Sequence, residues 1–145
     1  MSSMQGPYIQ VAAFCDTVIE DKSNAISLIR IVDSITHTEA RPDAPEDMPS
    51  FTYVLKLVIM VKSGAARGRH ELIVVPELPS GETKTPFITS VYFEGEDRGV
   101  HVIANIPFTF VLEGLHWFHV SLGDALLTKI PFKVLYNRVL TPPDK

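Results

Sequence analysis

Apolar residues along this chain mostly alternate with polar ones, which is the period of half-buried strands. The clearest run is Val100, Val102, Ala104, Ile106, Phe108, Phe110 and Leu112, with His101, Asn105 and Thr109 among the residues between them. A helix would scatter these side chains around its circumference, whereas a strand gathers them on one face. Phe51, Tyr53, Leu55, Leu57, Ile59 and Val61 repeat the pattern, as do Ile130, Phe132, Val134 and Tyr136. Weaker alternation passes through Ile9 to Cys15, Ala25 to Ile35, His70 to Leu78 and Phe87 to Phe93. With Leu115 to Leu122 these runs predict about eight strands.

The connectors carry turn chemistry: Ser63-Gly64, Pro79-Ser80-Gly81, Glu94-Gly95-Glu96-Asp97, Glu113-Gly114 and Gly123-Asp124. Short strands separated by such turns predict an antiparallel β-sandwich, immunoglobulin-like or C2-like in layout. Asp16 to Lys22, where Val18 and Ile19 break the alternation, reads as a helical turn capped by Asp16. Thr36 to Ser50, with three prolines and the acidic residues Glu39, Asp43, Glu46 and Asp47, reads as a solvated loop. The expected organisation is a flexible N-terminus over 1–6, one domain over 7–138 and a flexible tail over 139–145.

Turn length suggests register. A three-residue loop Leu112-Glu113-Gly114 pairs Phe108 with Phe118 and Phe110 with His116, joining two apolar sets on one face. A three-residue loop Gly123-Asp124-Ala125 sets Phe118 opposite Ile130 and Val120 opposite Thr128. Both choices turn Trp117 and His119 away from the core, beside Thr109, Val111, Leu115, Leu127, Lys129 and Lys133. That outward face is unusually apolar. Val54, Val58 and Met60 likewise make the 51–62 strand apolar on both faces, and strands buried on both sides need a second cover. Pro107 and Pro131 lack an amide donor, which confines them to one-sided stretches of a ladder or to bulges.

Composition narrows the class. The chain has 145 residues, 46% apolar and 21% charged, and a chain of this size buries roughly two thirds of its surface in one core. Thirteen Lys and Arg against seventeen Asp and Glu give a net charge of −4, a poor basis for holding nucleic acid or an anionic membrane. No apolar run reaches the length of a membrane span, and Met1 to Phe14 lacks the basic start and apolar core of a signal peptide. A single Cys forms no internal disulfide, so the expected compartment is the cytosol.

The chemistry-bearing residues are sparse. Cys15 ends an apolar strand without a neighbouring His or cation in sequence to activate it, and is expected to face the core. His116 and His119 have metal-ligand spacing only on a helix, since on a strand residues three apart face opposite ways. If strands simply alternate direction, Asp16, Glu20, Asp21, Glu94, Glu96, Asp97 and Asp124 gather at one end, the geometry a calcium-dependent C2-like sandwich uses. Arg67, Arg69 and Arg98 fall at the same end, and Gly64 to His70 is the nearest approach to a basic Gly-rich loop.

Several segments together carry a resemblance: Pro7 to Cys15 running into Ser27 to Asp33, then Gly68-Arg69-His70 with Pro79-Ser80-Gly81, then Glu113 to Phe118. They resemble an uncharacterised family of small bacterial β-sandwich proteins catalogued as a domain of unknown function, over nearly the whole chain from Pro7 to Arg138. Those motifs are strand and turn residues, so the resemblance implies a sandwich and transfers no catalytic site.

The expected function is a binding or assembly module with no catalytic residue, no cofactor and no metal. It presents a sheet face, carried by Val111, Leu115, Trp117, His119, Leu127, Val58 and Met60, to a protein partner or to a second copy. The rival readings are a calcium-dependent sandwich acting through its acidic end and a small hydrolase using Cys15 or a His.

Overall fold

The structure, a computed structural model, describes residues 6–143, with Glu96 and Asp97 described in their backbone alone. Most of the N-terminal segment expected to be flexible, 1–5, lies outside the described residues, as do 144 and 145 of the tail. The strands are β1 (Tyr8–Glu20), β2 (Ile26–Val32), β3 (Ser34–Ala40), β4 (Phe51–Gly64), β5 (Gly68–Glu77), β6 (Phe87–Phe93), β7 (Glu96–Phe110), β8 (Gly114–Leu122) and β9 (Ala125–Val139). They form a β-sandwich of two sheets, one in the order β2-β1-β4-β7 and one in the order β3-β9-β8-β5-β6.

The alternating runs supply the layer between the sheets. Phe14, Leu55, Leu57, Ile59, Val61, Phe108 and Phe110 point in from the four-stranded sheet, and Leu72, Val74, Phe118, Val120, Ile130, Phe132 and Val134 from the other. Aromatic rings lock the layers together. Phe14 meets Phe118 edge-on at 4.9 Å and Phe132 at 5.6 Å, the arrangement that ring quadrupoles favour.

Several expectations are corrected. The run from Ala25 to Ile35 is two strands: the chain reverses at Asp33, leaving β2 in one sheet and β3 in the other. β3 then pairs in parallel with β9, from Ser34 opposite Lys133 to Ala40 opposite Val139, so the sandwich is not purely antiparallel. The expected loop over Thr36 to Ser50 therefore begins as strand, and its remainder is pinned. Tyr136 donates to the Pro45 carbonyl at 2.6 Å, Arg138 donates to the Ala44 carbonyl at 2.9 Å, and Ala44 and Met48 are buried.

The helical turn expected at Asp16 to Lys22 is strand as far as Glu20, followed by a tight turn into β2. Asp21, not Asp16, is the capping residue, accepting from the Ser23 amide at 2.8 Å and the Ala25 amide at 3.2 Å. Asn24 takes the left-handed conformation there, which Asn tolerates well. The expected tail starts as strand too: β9 runs to Val139, whose carbonyl accepts from the Arg41 amide.

The hairpin expected between β7 and β8 does not form, because the Val111–Glu113 connector crosses from one sheet to the other. Phe108 and Phe118 still meet, at 5.6 Å, and so do Phe110 and His116, at 5.1 Å, but across the core rather than along a ladder. Between β8 and β9 the register is the expected one, Phe118 opposite Ile130 and Val120 opposite Thr128. It is reached by a two-residue turn, Gly123-Asp124, and a bulge at Leu127. Pro107 lies on the edge strand β7, and Pro131 precedes the point where β3 joins β9 at Lys133, so each occupies a one-sided ladder.

Candidate interaction face

The residues expected to form one outward face are divided between two sheets. Val58 and Met60 lie on the outer face of the four-stranded sheet, while Leu115, Trp117 and His119 lie on the outer face of the five-stranded one. Thr109, expected beside Trp117, is on β7 and pairs with Thr52. Leu127 is not on an outward face: the β8–β9 bulge turns it to pack against the core. Val111 is exposed on the β7–β8 connector, where it lines two adjoining cavities of about 490 and 410 Å³.

On the four-stranded sheet the outward rows follow from register. Ala13, Val58 and Ile103 lie side by side across β1, β4 and β7, flanked by the row Val11, Met60 and His101. On the other flank lies the row Ile31, Cys15, Lys56 and Asn105, and beyond it Val54 pairs with Pro107. Val58 is 0% exposed although it points away from the core, so its neighbours on this face cover it completely. Ile31 is 64% exposed, the most of any large apolar side chain among the described residues, and Ile19, Ile29, Val54 and Ile103 are exposed as well. Between the Lys62 row and the Thr52 row, the charged side chains described on this face are Lys56 and Lys62, both on β4. An antiparallel sheet that turns one face to water ordinarily places polar residues there.

This apolar surface continues onto a projecting ribbon. β1 leaves β4 after Cys15 pairs with Lys56, yet its pairing with β2 runs on to Glu20 opposite Ile26. Asp16–Glu20 and Ile26–Arg30 therefore form a two-stranded ribbon, and no residue from Asp16 to Val32 is buried. An ion pair between Arg30 and Asp16 at 2.6 Å spans it.

The outer face of the five-stranded sheet is more polar. His119 hydrogen-bonds Glu77 at 2.6 Å, and the Lys129 ammonium lies over the half-buried Trp117 ring, 4.8 Å from its centroid. Lys133 stands opposite Leu115. Trp117 is thus partly covered by its own sheet.

Cys15 is only 4% exposed, but it faces outward rather than into the core, because a bulge at Gln10 reverses the alternation of β1. Burial raises its thiol pKa, and nearby Asp16 adds to the effect, against a weaker pull from Lys56 and a hydrogen bond to the Thr17 carbonyl. A protonated, covered thiol is a poor nucleophile. His116 is 1% exposed, with Nδ1 at 3.1 Å from the Gly114 carbonyl and Nε2 without a partner among the described residues. Burial pushes its pKa down, so the ring is held neutral in the core.

The acidic residues do not gather at one end. The reversal at Asp33 adds a strand, so Asp16, Glu20 and Asp21 lie at the ribbon end while Glu94 and Asp124 lie at the other. Glu94 pairs with Arg98, Asp16 with Arg30, and Asp21 is held in its own turn; the side chains of Glu96 and Asp97 lie outside the described residues. Among the described residues no group of three or more His, Cys, Asp and Glu side chains could hold a metal ion. The Gly64–His70 loop is closed on itself: Arg67 donates to the carbonyls of Gly64 and Ala66, both at 3.0 Å.

Sequence reasoning missed Ile19, Ile29, Ile31 and Ile103 as parts of this surface. The adjacent apolar pairs Leu28-Ile29 and Ile31-Val32 were the available signal, since they make β2 apolar on both faces although it forms a sheet edge.

Among the described residues no helix is long and apolar enough to cross a membrane. No family model and no curated protein matches the chain. A solved structure described as an immunoglobulin-like protein from Pseudomonas aeruginosa is similar to it at 14% identity and a TM-score of 0.43, over 92% of this chain and 99% of that one.

Proposed function

We propose that this chain is a non-catalytic binding module that holds another protein subunit against the outer face of its β2-β1-β4-β7 sheet. The observation that carries this reading is Val58, fully covered on the side of the sheet facing away from the core, with the exposed Ile103 opposite it and the exposed Ile31 and Val54 further out on the same face. Large contiguous apolar patches on a folded surface mark interaction sites. The inaccessible thiol of Cys15 and the neutral, enclosed ring of His116 support a role without chemistry of its own. The single unpaired cysteine supports the cytosol as its compartment. Membership of the family of small bacterial β-sandwich proteins that the strand and turn motifs resemble belongs to the same proposal.

The test compares the mass of the tagged chain in extract of its native host for wild type, the double variant Val54→Glu with Ile103→Glu, and Trp117→Ala. Both charged substitutions replace exposed side chains, so the fold tolerates them, and Trp117 lies on the opposite sheet. Wild type and Trp117→Ala should sediment above monomer mass and the double variant at monomer mass. A double variant as heavy as wild type, or a wild type at monomer mass, refutes the reading.

A further inference from the structure

We infer that the seam between the edge strands β6 and β7 is a peptide site, in which an extended segment of another protein adds as a strand to β7, with a Lys or Arg at the end that lies beside Glu46, Asp47 and Glu113. The site is separate from the outer face and goes beyond the function proposed for that face.

The sandwich is open along this side. β6 ends one sheet and β7 the other. The two segments run past each other in opposite directions without pairing: residues 89–92 face 100–103 across a cavity of about 480 Å³, and Lys84 and Thr85 face 107–109 across the one of about 410 Å³. Val100, Val102 and Ile106 point inward from β7 yet are only half-buried. Exposed edges are ordinarily blunted by charge or by a twist in the strand. β2 carries Arg30 in the left-handed conformation and β3 carries Glu39, but β6, and β7 from Gly99 to Phe110, have no Asp, Glu, Lys or Arg. The two unprotected edges border the same seam.

Pro107 shows which backbone groups are on offer. Residues of an antiparallel ladder alternately bond the partner strand and point away from it. Pro107, opposite Val54, has no donor to give β4 and so belongs to the set that points away, and the unbroken register keeps His101, Ile103 and Asn105 in that set. Their amides and carbonyls form a free row, spaced about 7 Å apart, of the kind that an added strand binds.

Charge selects the occupant. Beyond Phe110 the seam continues into a cavity of about 490 Å³ lined by the exposed Glu46, Asp47 and Glu113, whose carboxylates have no ion pair or hydrogen bond among the described residues. A second copy laid antiparallel along β7 would bring the Gly99 end of its own β7 there. The cations at that end are engaged or face elsewhere. Lys62 and Arg98 are already partnered, Arg67 donates to carbonyls of its own loop, and Arg69 stands on the outer side of β5. A segment of another protein that brings its own Lys or Arg satisfies the carboxylates instead. Antiparallel pairing is slightly the stronger, which puts that residue at the segment's N-terminal end.

The experiment titrates the purified full chain with the capped synthetic peptide Lys-Lys-Val-Thr-Val-Thr-Val-Thr and with its Glu-Glu counterpart, following affinity and amide hydrogen exchange. The Lys-Lys peptide should bind with a Kd below about 1 mM and slow exchange at His101, Ile103 and Asn105 about tenfold. The Glu-Glu peptide should bind about tenfold more weakly. Asp47→Lys with Glu113→Lys, both exposed positions, should reverse that preference. Asn105→Pro takes a donor from the free row and none from the β4 ladder, and should weaken the Lys-Lys peptide about tenfold. A Kd above that bound, protection confined to other amides, a preference unmoved by the charge change, or undiminished binding by Asn105→Pro overturns the inference. So does a chain that protects these amides by dimerising without peptide. Asp47, Glu113 and Asn105 are not among the residues changed to test the outer face, so each reading can fail while the other stands.

Discussion

Val58 and Ile103 stand opposite each other on the outer side of the β4–β7 ladder, yet Val58 is fully covered and Ile103 is 39% exposed. The face is therefore a packed apolar layer at its centre that thins to an exposed aliphatic margin at β7. Val58→Ala should cost about 2 kcal/mol of stability, the lower end of the range for emptying a packed apolar site. Ile103→Thr, at the margin, should stay within about 0.5 kcal/mol in the monomer. Urea unfolding of the two variants checks the gradient; equal costs would mean that the face is not layered in this way.

Cys15 reports the same cover. Its flanking partners on the outward side are Ile31 and Lys56. Native protein should react with a thiol reagent only slowly at neutral pH. Ile31→Ala, which trims one flank without entering the core, should speed the reaction about tenfold, as expected when reactivity follows exposure. Rapid labelling of wild type, or a rate unmoved by Ile31→Ala, would contradict this placement. Cys15→Ala should cost about 1 kcal/mol, a typical value for a buried small side chain.

Much of the core was legible in the sequence, because an alternating strand declares which residues share a face. What it does not declare is the neighbour. Phe108 and Phe118 belong to one core whether their strands pair or oppose each other, and periodicity is the same in both arrangements. Faces were misjudged where a bulge intervenes: one extra residue at Gln10 turns Cys15 outward, and another at Leu127 turns that side chain inward. A one-residue slip moves every later side chain to the opposite face. β3 was hidden for a different reason. Ile35 is the one large aliphatic side chain in Ser34–Ala40, and its partner strand lies about a hundred residues away, beyond the reach of any local signal.

Trp117 was expected to anchor a partner, and the geometry gives it a smaller part. Its ring is half-buried beneath Lys129 and opposite Pro131. Trp117→Ala should cost about 1 to 2 kcal/mol, well below the 3 to 5 kcal/mol of an aromatic removed from a core. Lys129→Met removes a cation–π contact that contributes about 0.5 to 1 kcal/mol at an exposed site. It should also shift tryptophan emission, which this chain's single Trp makes simple to read. A loss of core size in Trp117→Ala would place the ring deeper than the β8–β9 register allows.

His116 gives the fold a pH dependence of definite sign. Burial lowers its pKa from the ordinary 6.5, and the Gly114 carbonyl opposes that only in part. Below about pH 6.5 the unfolded chain therefore binds a proton that the native ring refuses, so stability contributed by the neutral ring is present above that pH. The loss begins near 6.5 as pH falls and stops once the folded imidazole is itself protonated. Asp21 and Glu39, whose pKa values are lowered by hydrogen bonds, contribute stability above the carboxylate range and lose it only at lower pH, so the two effects separate. His116→Phe keeps a ring beside Phe108 and Phe110 and removes the unpartnered Nε2. Urea unfolding at pH 7.5 and 5.5 should show wild type losing stability on acidification and His116→Phe losing distinctly less. Equal losses in the two proteins would assign the slope to other groups, and a variant that gains nothing at pH 5.5 relative to wild type would mean that His116 is not held neutral in the fold.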